Sequence, residues 1–200
     1  MSFDEIIDRR GTHCVKWDMM ESLYGVSPDD GIAMWVADMD FAAPDCVQAV
    51  LRDMVEHGVY GYFGDDRAYR DAVRWWQAER RGWPVEDEWI FTTNGLVNGT
   101  ALCVDAFTQP GDGVIMFTPI YHAFFRVIRA AGREVVELEM PIEDGRYVLD
   151  FEAYDAQVPD HARMLVLCSP HNPGGRVFTR EELERIAEFR ALEAKVVASS

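Results

Sequence analysis

Lysine is nearly missing from this chain. Of the 19 Lys and Arg side chains in 200 residues, only Lys16 and Lys195 are lysines. Any chemistry that rests on a lysine amine therefore has two candidates. Basic charge as a whole is scarce, since 35 Asp and Glu leave a formal net charge of -16. Phosphate backbones need clustered Lys and Arg, so the balance argues against a general nucleic-acid binder, and acid spread along the chain serves solubility. Cysteine is sparse and scattered: Cys14, Cys46, Cys103 and Cys168 form no C-x-x-C pair. They read as free thiols, with neither a disulfide framework nor a metal set. No apolar run approaches the roughly 20 residues of a membrane span. Behind the acidic opening Met1-Ser2-Phe3-Asp4-Glu5 there is no apolar h-region, so no secretory signal is expected and the cytoplasm is the default. No G-x-G-x-x-G follows a strand pattern, which disfavours a dinucleotide-binding domain. Repeats and low-complexity tracts are lacking too.

What is present is an ordinary globular composition, 48% hydrophobic and 27% charged, in a chain long enough for a real core. Residues 1–43 are irregular but rich in aromatic and acidic side chains, which suggests an arm or a functional loop. Pro44 and Asp45 open a helix with apolar Val47, Val50, Leu51, Met54 and Val55, closed by Gly58. Asp65 or Asp66 caps the next, which carries Tyr69, Ala72, Val73 and Trp76 and ends at Gly82; Trp75 and Trp76 read as core. From residue 89 strands and helices alternate. Strands are predicted at Trp89–Thr93, Val114–Phe117, Glu134–Leu138 and Met164–Leu167. Helices are predicted at Leu96–Phe107, Tyr121–Ala131 and near 150–157, and Thr179-x-x-Glu182 is a capping box that opens the last one. Such alternation predicts an α/β fold, a largely parallel sheet with helices on both faces.

Three strand-to-helix junctions carry unusual residues. Cys168-Ser169-Pro170-His171-Asn172-Pro173-Gly174-Gly175-Arg176 follows an apolar strand, and its prolines restrict the backbone that aims the Asn172 amide. By itself it could be a plain loop. Asn94-Gly95-Leu96-Val97 leaves open N–H groups at a helix start, suited to an anion, although Asn-Gly also makes an ordinary turn. Tyr121, just past a strand end, could cover a planar ring or simply pack the helix start. Loops at one edge of a parallel sheet are neighbours. Phosphate cradle, stacking ring and aimed amide together suggest a planar, phosphorylated cofactor. His122 and His171 have no second ligand at metal-binding spacing, so no metal is expected, and nothing specific supports either as a general base.

The strings Lys16-Trp17-Asp18, Met34-Trp35-Val36-Ala37-Asp38-Met39-Asp40-Phe41, His57-Gly58-Val59-Tyr60-Gly61-Tyr62 and Cys168-Ser169-Pro170-His171-Asn172-Pro173 together resemble the MalY/PatB-type cystathionine β-lyases. These belong to the class I/II aminotransferase superfamily of fold-type I enzymes that use pyridoxal 5′-phosphate (PLP). The resemblance runs from about residue 3 to about residue 190. It implies a partial PLP-dependent transferase large domain with an N-terminal arm: residues 1–58 as arm and part of the small domain, 59–200 as an incomplete cofactor-binding domain. It further implies that Gly95, Leu96 and Val97 offer backbone amides to the cofactor phosphate, Leu96 being a mild departure from the usual Gly-Val-Val. Tyr121 matches the ring stacked on the pyridine, and Asn172 the amide on its phenolic oxygen. Tyr62 matches a tyrosine that reaches the neighbouring subunit's cofactor, hence a homodimer. Ala37 falls where the arm approaches the substrate carboxylate.

The implied reaction is α,β-elimination from an amino-acid thioether, releasing thiol, ammonia and a keto acid. The chain departs from the family after its last helix, reading Phe189-Arg190-Ala191-Leu192-Glu193-Ala194-Lys195-Val196-Val197 in place of an S-D-E-I-H-like segment. Neither Lys195 nor Lys16 sits where the resemblance puts the Schiff-base lysine, so no catalytic residue is identifiable. The expectation is an N-terminal half, truncated or frameshifted. Two alternatives stand beside the lyase: a PLP-dependent aminotransferase, which shares every residue named, and a non-catalytic remnant of the fold.

Overall fold

The computed structural model describes residues 3–189 in full and the backbone of 194–198. It divides into two compact units, residues 1–69 and 70–200. The first unit holds two short helices, α1 (Val15–Asp18) and α2 (Met20–Tyr24), and the longer α3 (Asp45–His57), which ends at Gly58 in the left-handed conformation that glycine adopts without cost. The α3 limits are those the apolar period predicts. Helix α4 (Arg67–Arg81) begins in the first unit and continues into the second. The Asp65 carboxylate accepts the Arg67 N–H at 3.1 Å at its start.

The second unit is a parallel α/β layer structure. After a 3₁₀ turn at Asp87–Trp89 come α5 (Leu96–Phe107), β1 (Gly113–Thr118), α6 (Ala123–Ala130) and β2 (Glu134–Glu139). A hairpin of β3 (Ile142–Glu143) and β4 (Arg146–Tyr147) turns at Asp144 and Gly145, both at positive φ, as a two-residue hairpin loop requires. Then follow α7 (Phe151–Asp155), β5 (Ala162–Cys168), α8 (Arg180–Glu188) and β6 (Ala194–Ala198). The main sheet has the order β2-β1-β5-β6, and every pair in it is parallel.

Parallel strands covered on both faces must be apolar at every position, and β1 is buried from end to end. Ile115, Phe117, Leu138, Leu165 and Leu167 point to one face, against Phe151, Tyr154 and Phe178 and against Ile186 of α8. Val114, Met116, Met164, Val166 and Cys168 point to the other, against Val104 of α5 and Phe124 and Ile128 of α6. Full burial of one such side chain contributes about 1.5–3 kcal/mol. Helix α8 carries the predicted capping box, with Thr179 accepting from the Glu182 N–H at 3.2 Å and Glu182 accepting from the Thr179 N–H at 2.7 Å.

Two sequence expectations fail. Trp89–Thr93 is not a strand: Trp89 closes the 3₁₀ turn and 90–93 make no ladder. A strand needs a partner for its main-chain groups, and none of the described strands supplies one. Trp75 and Trp76 are not core but 58% and 48% exposed, Trp76 lying under the Arg80 guanidinium. Helical period reveals which face is apolar, not whether a partner packs on it. The helix predicted from Tyr121 begins two residues later, at Ala123. No helix among the described residues is long and apolar enough to cross a membrane.

Candidate functional site

In the second unit β1 and β5 are neighbours, so the loops leaving their carboxyl ends are adjacent. The β1 loop is Pro119-Ile120-Tyr121. Tyr121 is half-buried, its ring edge-on to Phe124 at 5.7 Å and to His122 at 4.9 Å. The β5 loop is a tight turn closed by main-chain bonds, His171 N–H to Arg176 O at 2.7 Å and Gly175 N–H to His171 O at 2.8 Å. Asn172 stands exposed at its tip.

The two loops are tied by the His171 ring. Its Nε2 lies 2.7 Å from the Pro119 carbonyl oxygen, 52 residues away in sequence, and its Nδ1 lies 3.3 Å from the Cys168 carbonyl oxygen. The imidazole is 3% exposed and meets Phe178 edge-on at 5.8 Å. Both ring nitrogens thus face main-chain carbonyl oxygens within the fold.

Helix α5 leads through a short turn into the start of β1 and packs on the sheet, so it runs against the strands. Its first turn therefore lies toward the edge where β1 and β5 end. Gly95 is its N-cap, with φ 84° and ψ 161°, a region open to glycine alone, and no side chain caps the helix. Leu96 and Val97 so present uncapped N–H groups at the positive end of the helix dipole, whereas the Gly95 N–H, expected to join them, donates to Thr93 O at 2.8 Å because the turn before the helix closes on it. The Thr93 hydroxyl donates to Gly95 O at 3.1 Å and holds the turn from beneath.

Ala37 and Tyr62 belong to the first unit, and both are exposed. Ala37 sits in a polar knot that sequence reasoning missed. The Lys16 ammonium donates to Asp40 Oδ2 at 2.7 Å and to Asp38 O at 2.9 Å, while Lys16 O accepts from Trp35 Nε1 at 2.9 Å. One lysine thus holds the chain on both sides of Val36-Ala37. Arg9 bridges Asp38 at 2.6 Å and Asp40 at 2.7 Å, and Trp17 Nε1 donates to Asp40 at 2.9 Å. Val36 adopts φ 61°, a real outlier for a β-branched residue. Hydrogen bonds from Lys16, then Trp17 and Arg9, hold the Asp40 carboxyl well below the usual carboxylate range. The Arg9 guanidinium does the same to Asp38. Lys16 is 7% exposed and fully engaged, which removes it as a free amine. Lys195 lies opposite Leu165 in the β5–β6 register, and its side chain lies outside the described residues. Among the described residues no three His, Cys, Asp or Glu side chains gather as metal ligands.

Residues 36–196, most of the chain, match the family described as aminotransferase class I and II. The chain belongs to that family. Within it, the chain is 39% identical over 190 residues to cystathionine beta-lyase PatB of Bacillus subtilis, covering 94% of this chain and 49% of that one. It is 27% identical to protein MalY of Escherichia coli over a similar stretch, 94% of this chain and 48% of that one. Among solved structures it is similar to cystalysin of Treponema denticola, which contains a pyridoxal 5′-phosphate cofactor. The TM-score is 0.87 at 33% identity, over 99% of this chain and 50% of that one. The chain spans about half the length of the curated relatives it matches. The fold is accordingly that of the fold-type I enzymes, represented by the parallel sheet and its covering helices.

Proposed function

We propose that this chain forms the N-terminal part of a PLP-dependent carbon-sulfur β-lyase of the cystathionine β-lyase kind, acting in the cytoplasm as a homodimer on amino-acid thioethers. The observation that carries the reading is the convergence of the uncapped α5 start, the Tyr121 ring and the Asn172 amide toward one sheet edge. These residues fit the cofactor. Two open backbone N–H groups at a helix N-terminus, those of Leu96 and Val97, beside a glycine whose missing Cβ leaves the approach open, suit a phosphate. A half-buried tyrosine buttressed by Phe124 suits the face of a pyridine ring, and an exposed amide on a closed turn suits a ring oxygen. When bound, the cofactor supplies an electron sink for the substrate's α-carbon.

This chain's own residues then bind and orient. The Leu96 and Val97 N–H groups would hold the phosphate, with Gly95 shaping the turn that exposes them. Tyr121 would cover the ring and Asn172 would donate to its oxygen. By resemblance, the main chain at Ala37 would meet the substrate carboxylate, and Tyr62 of one protomer would reach the phosphate held by its partner. Similarity to PatB favours elimination over amino-group transfer.

A chimera in which these residues replace the matching half of PatB tests the reading. Incubated with L-cystathionine and PLP, it should release thiol, ammonia and keto acid. Amino-group transfer to an added keto acid without thiol release would instead identify an aminotransferase, and a chimera that folds but binds no PLP would leave the chain a non-catalytic remnant.

A further inference from the structure

We propose that His171 is a positioning residue whose buried ring sets the spacing between the Tyr121 ring and the Asn172 amide. The inference rests on the cofactor-site reading above but draws on separate observations. A parallel sheet aligns strands β1 and β5 only where they pair; the register ends at Met116 and Val166, and the loops that leave the strands beyond it need another tether. His171 is that tether. Both ring nitrogens face carbonyl oxygens, and we assign the N–H to Nε2 because its contact with Pro119 O, at 2.7 Å, is shorter than the 3.3 Å from Nδ1 to Cys168 O. At 3% exposure, water does not replace that bond, so parting the loops leaves a buried donor unpaired.

The rest of the turn is shaped around the ring. Phe178 meets it edge-on at 5.8 Å, and the Arg176 guanidinium lies 4.5 Å over Phe178. Arg176 in turn donates to Tyr147 O and to the Glu182 carboxylate that closes the α8 cap. A Cβ at Gly174 would meet His171 Cδ2 at 2.8 Å and Tyr147 Cδ2 at 3.0 Å, so only glycine lets the ring seat. Asn172 is the next residue along from His171, and Tyr121 lies two residues beyond Pro119. A shift of the ring therefore changes the gap between them.

The test uses the 200-residue chain and its His171→Gln, His171→Leu and Gly174→Ala variants. Two probes are titrated: 4′-deoxypyridoxine 5′-phosphate, which has the ring and phosphate but no aldehyde and so needs no lysine, and inorganic phosphate. Amide hydrogen exchange across residues 120–124 and 171–176 is followed without ligand. His171→Leu should raise the Kd for the ring probe by about tenfold or more, with the phosphate Kd changed less than about twofold. His171→Gln, whose amide nitrogen reaches toward Pro119 O, should recover most of the affinity. Gly174→Ala keeps every polar atom yet displaces the ring, and should act in the same direction as His171→Leu. Exchange at 120–124 should quicken in His171→Leu and Gly174→Ala and not in His171→Gln. Wild-type exchange and ring affinity in His171→Leu would overturn the proposal. So would equal losses for both probes in His171→Leu and His171→Gln, since that pattern marks general destabilisation. A wild-type chain that binds neither probe overturns the cofactor-site reading, and the exchange result then decides the tether alone.

Discussion

Asp40 shows how much a single residue can organise. Its two carboxylate oxygens accept from Lys16, Trp17 and Arg9, which lie 23 to 31 residues earlier in the chain. Because these bonds favour the charged form, Asp40 and its neighbour Asp38 bind protons less readily folded than unfolded. The sign follows from linkage. Their contribution is complete above the ordinary carboxylate value of about 4 and is lost as pH falls through the lower folded values. Acid titration followed by Trp17 and Trp35 fluorescence should thus show the first unit loosening in strong acid. Asp40→Asn should unfold at lower urea than wild type at pH 7, and the difference should shrink in acid as wild-type Asp40 takes up its proton. The residues of this knot stood in the strings Lys16-Trp17-Asp18 and Asp38-Met39-Asp40, but nothing in their spacing says that Lys16 closes on Asp40. Such pairing depends on how an irregular segment folds back.

Elements differ in how far their own residues determine them. The α8 cap and the α3 stop were legible because Thr179, Glu182 and Gly58 act within one helical turn. Helix α5 matched its predicted limits for the same reason, with Gly95 at its start. There the backbone angles admit little but glycine, so Gly95→Ala should destabilise the second unit by about 1–3 kcal/mol in urea unfolding, although its Cβ would meet no atom. The cost is conformational, since packing alone predicts no loss, and this account fails if the loss is absent. The stretch 89–93 lies at the other extreme. Trp89, Ile90, Phe91, Thr92 and Thr93 have strand-like side chains, yet a ladder exists only where a partner strand runs alongside.

At the scale of the molecule, the second unit rests on a two-faced sheet whose helices cover both sides. Phe117 is 1% exposed and its ring lies 5.6 Å from that of Tyr154. Phe117→Ala should cost about 3–5 kcal/mol in chemical unfolding, because the rigid strands on either side cannot close the hole. Elsewhere large apolar side chains remain open, among them Trp83, Phe91, Leu102 and Phe107. The chain's own period had pointed Trp75 and Trp76 inward, and their exposure shows that amphipathicity marks a face without naming what covers it. By itself the sequence determined the alternation of helices and strands from Leu96 onward, the limits of α3 and α5, the start of α8, the parallel layer class and the three loops that carry distinctive residues. These depend on periodicity and turn chemistry, which act over a few residues. Only the tertiary structure decided that His171 reaches Pro119, that Lys16 brackets Val36-Ala37 and that β5 lies beside β1. Those contacts join residues far apart in the chain. Strand order and register bring the first pair together, and the folding back of the N-terminal segment brings the second.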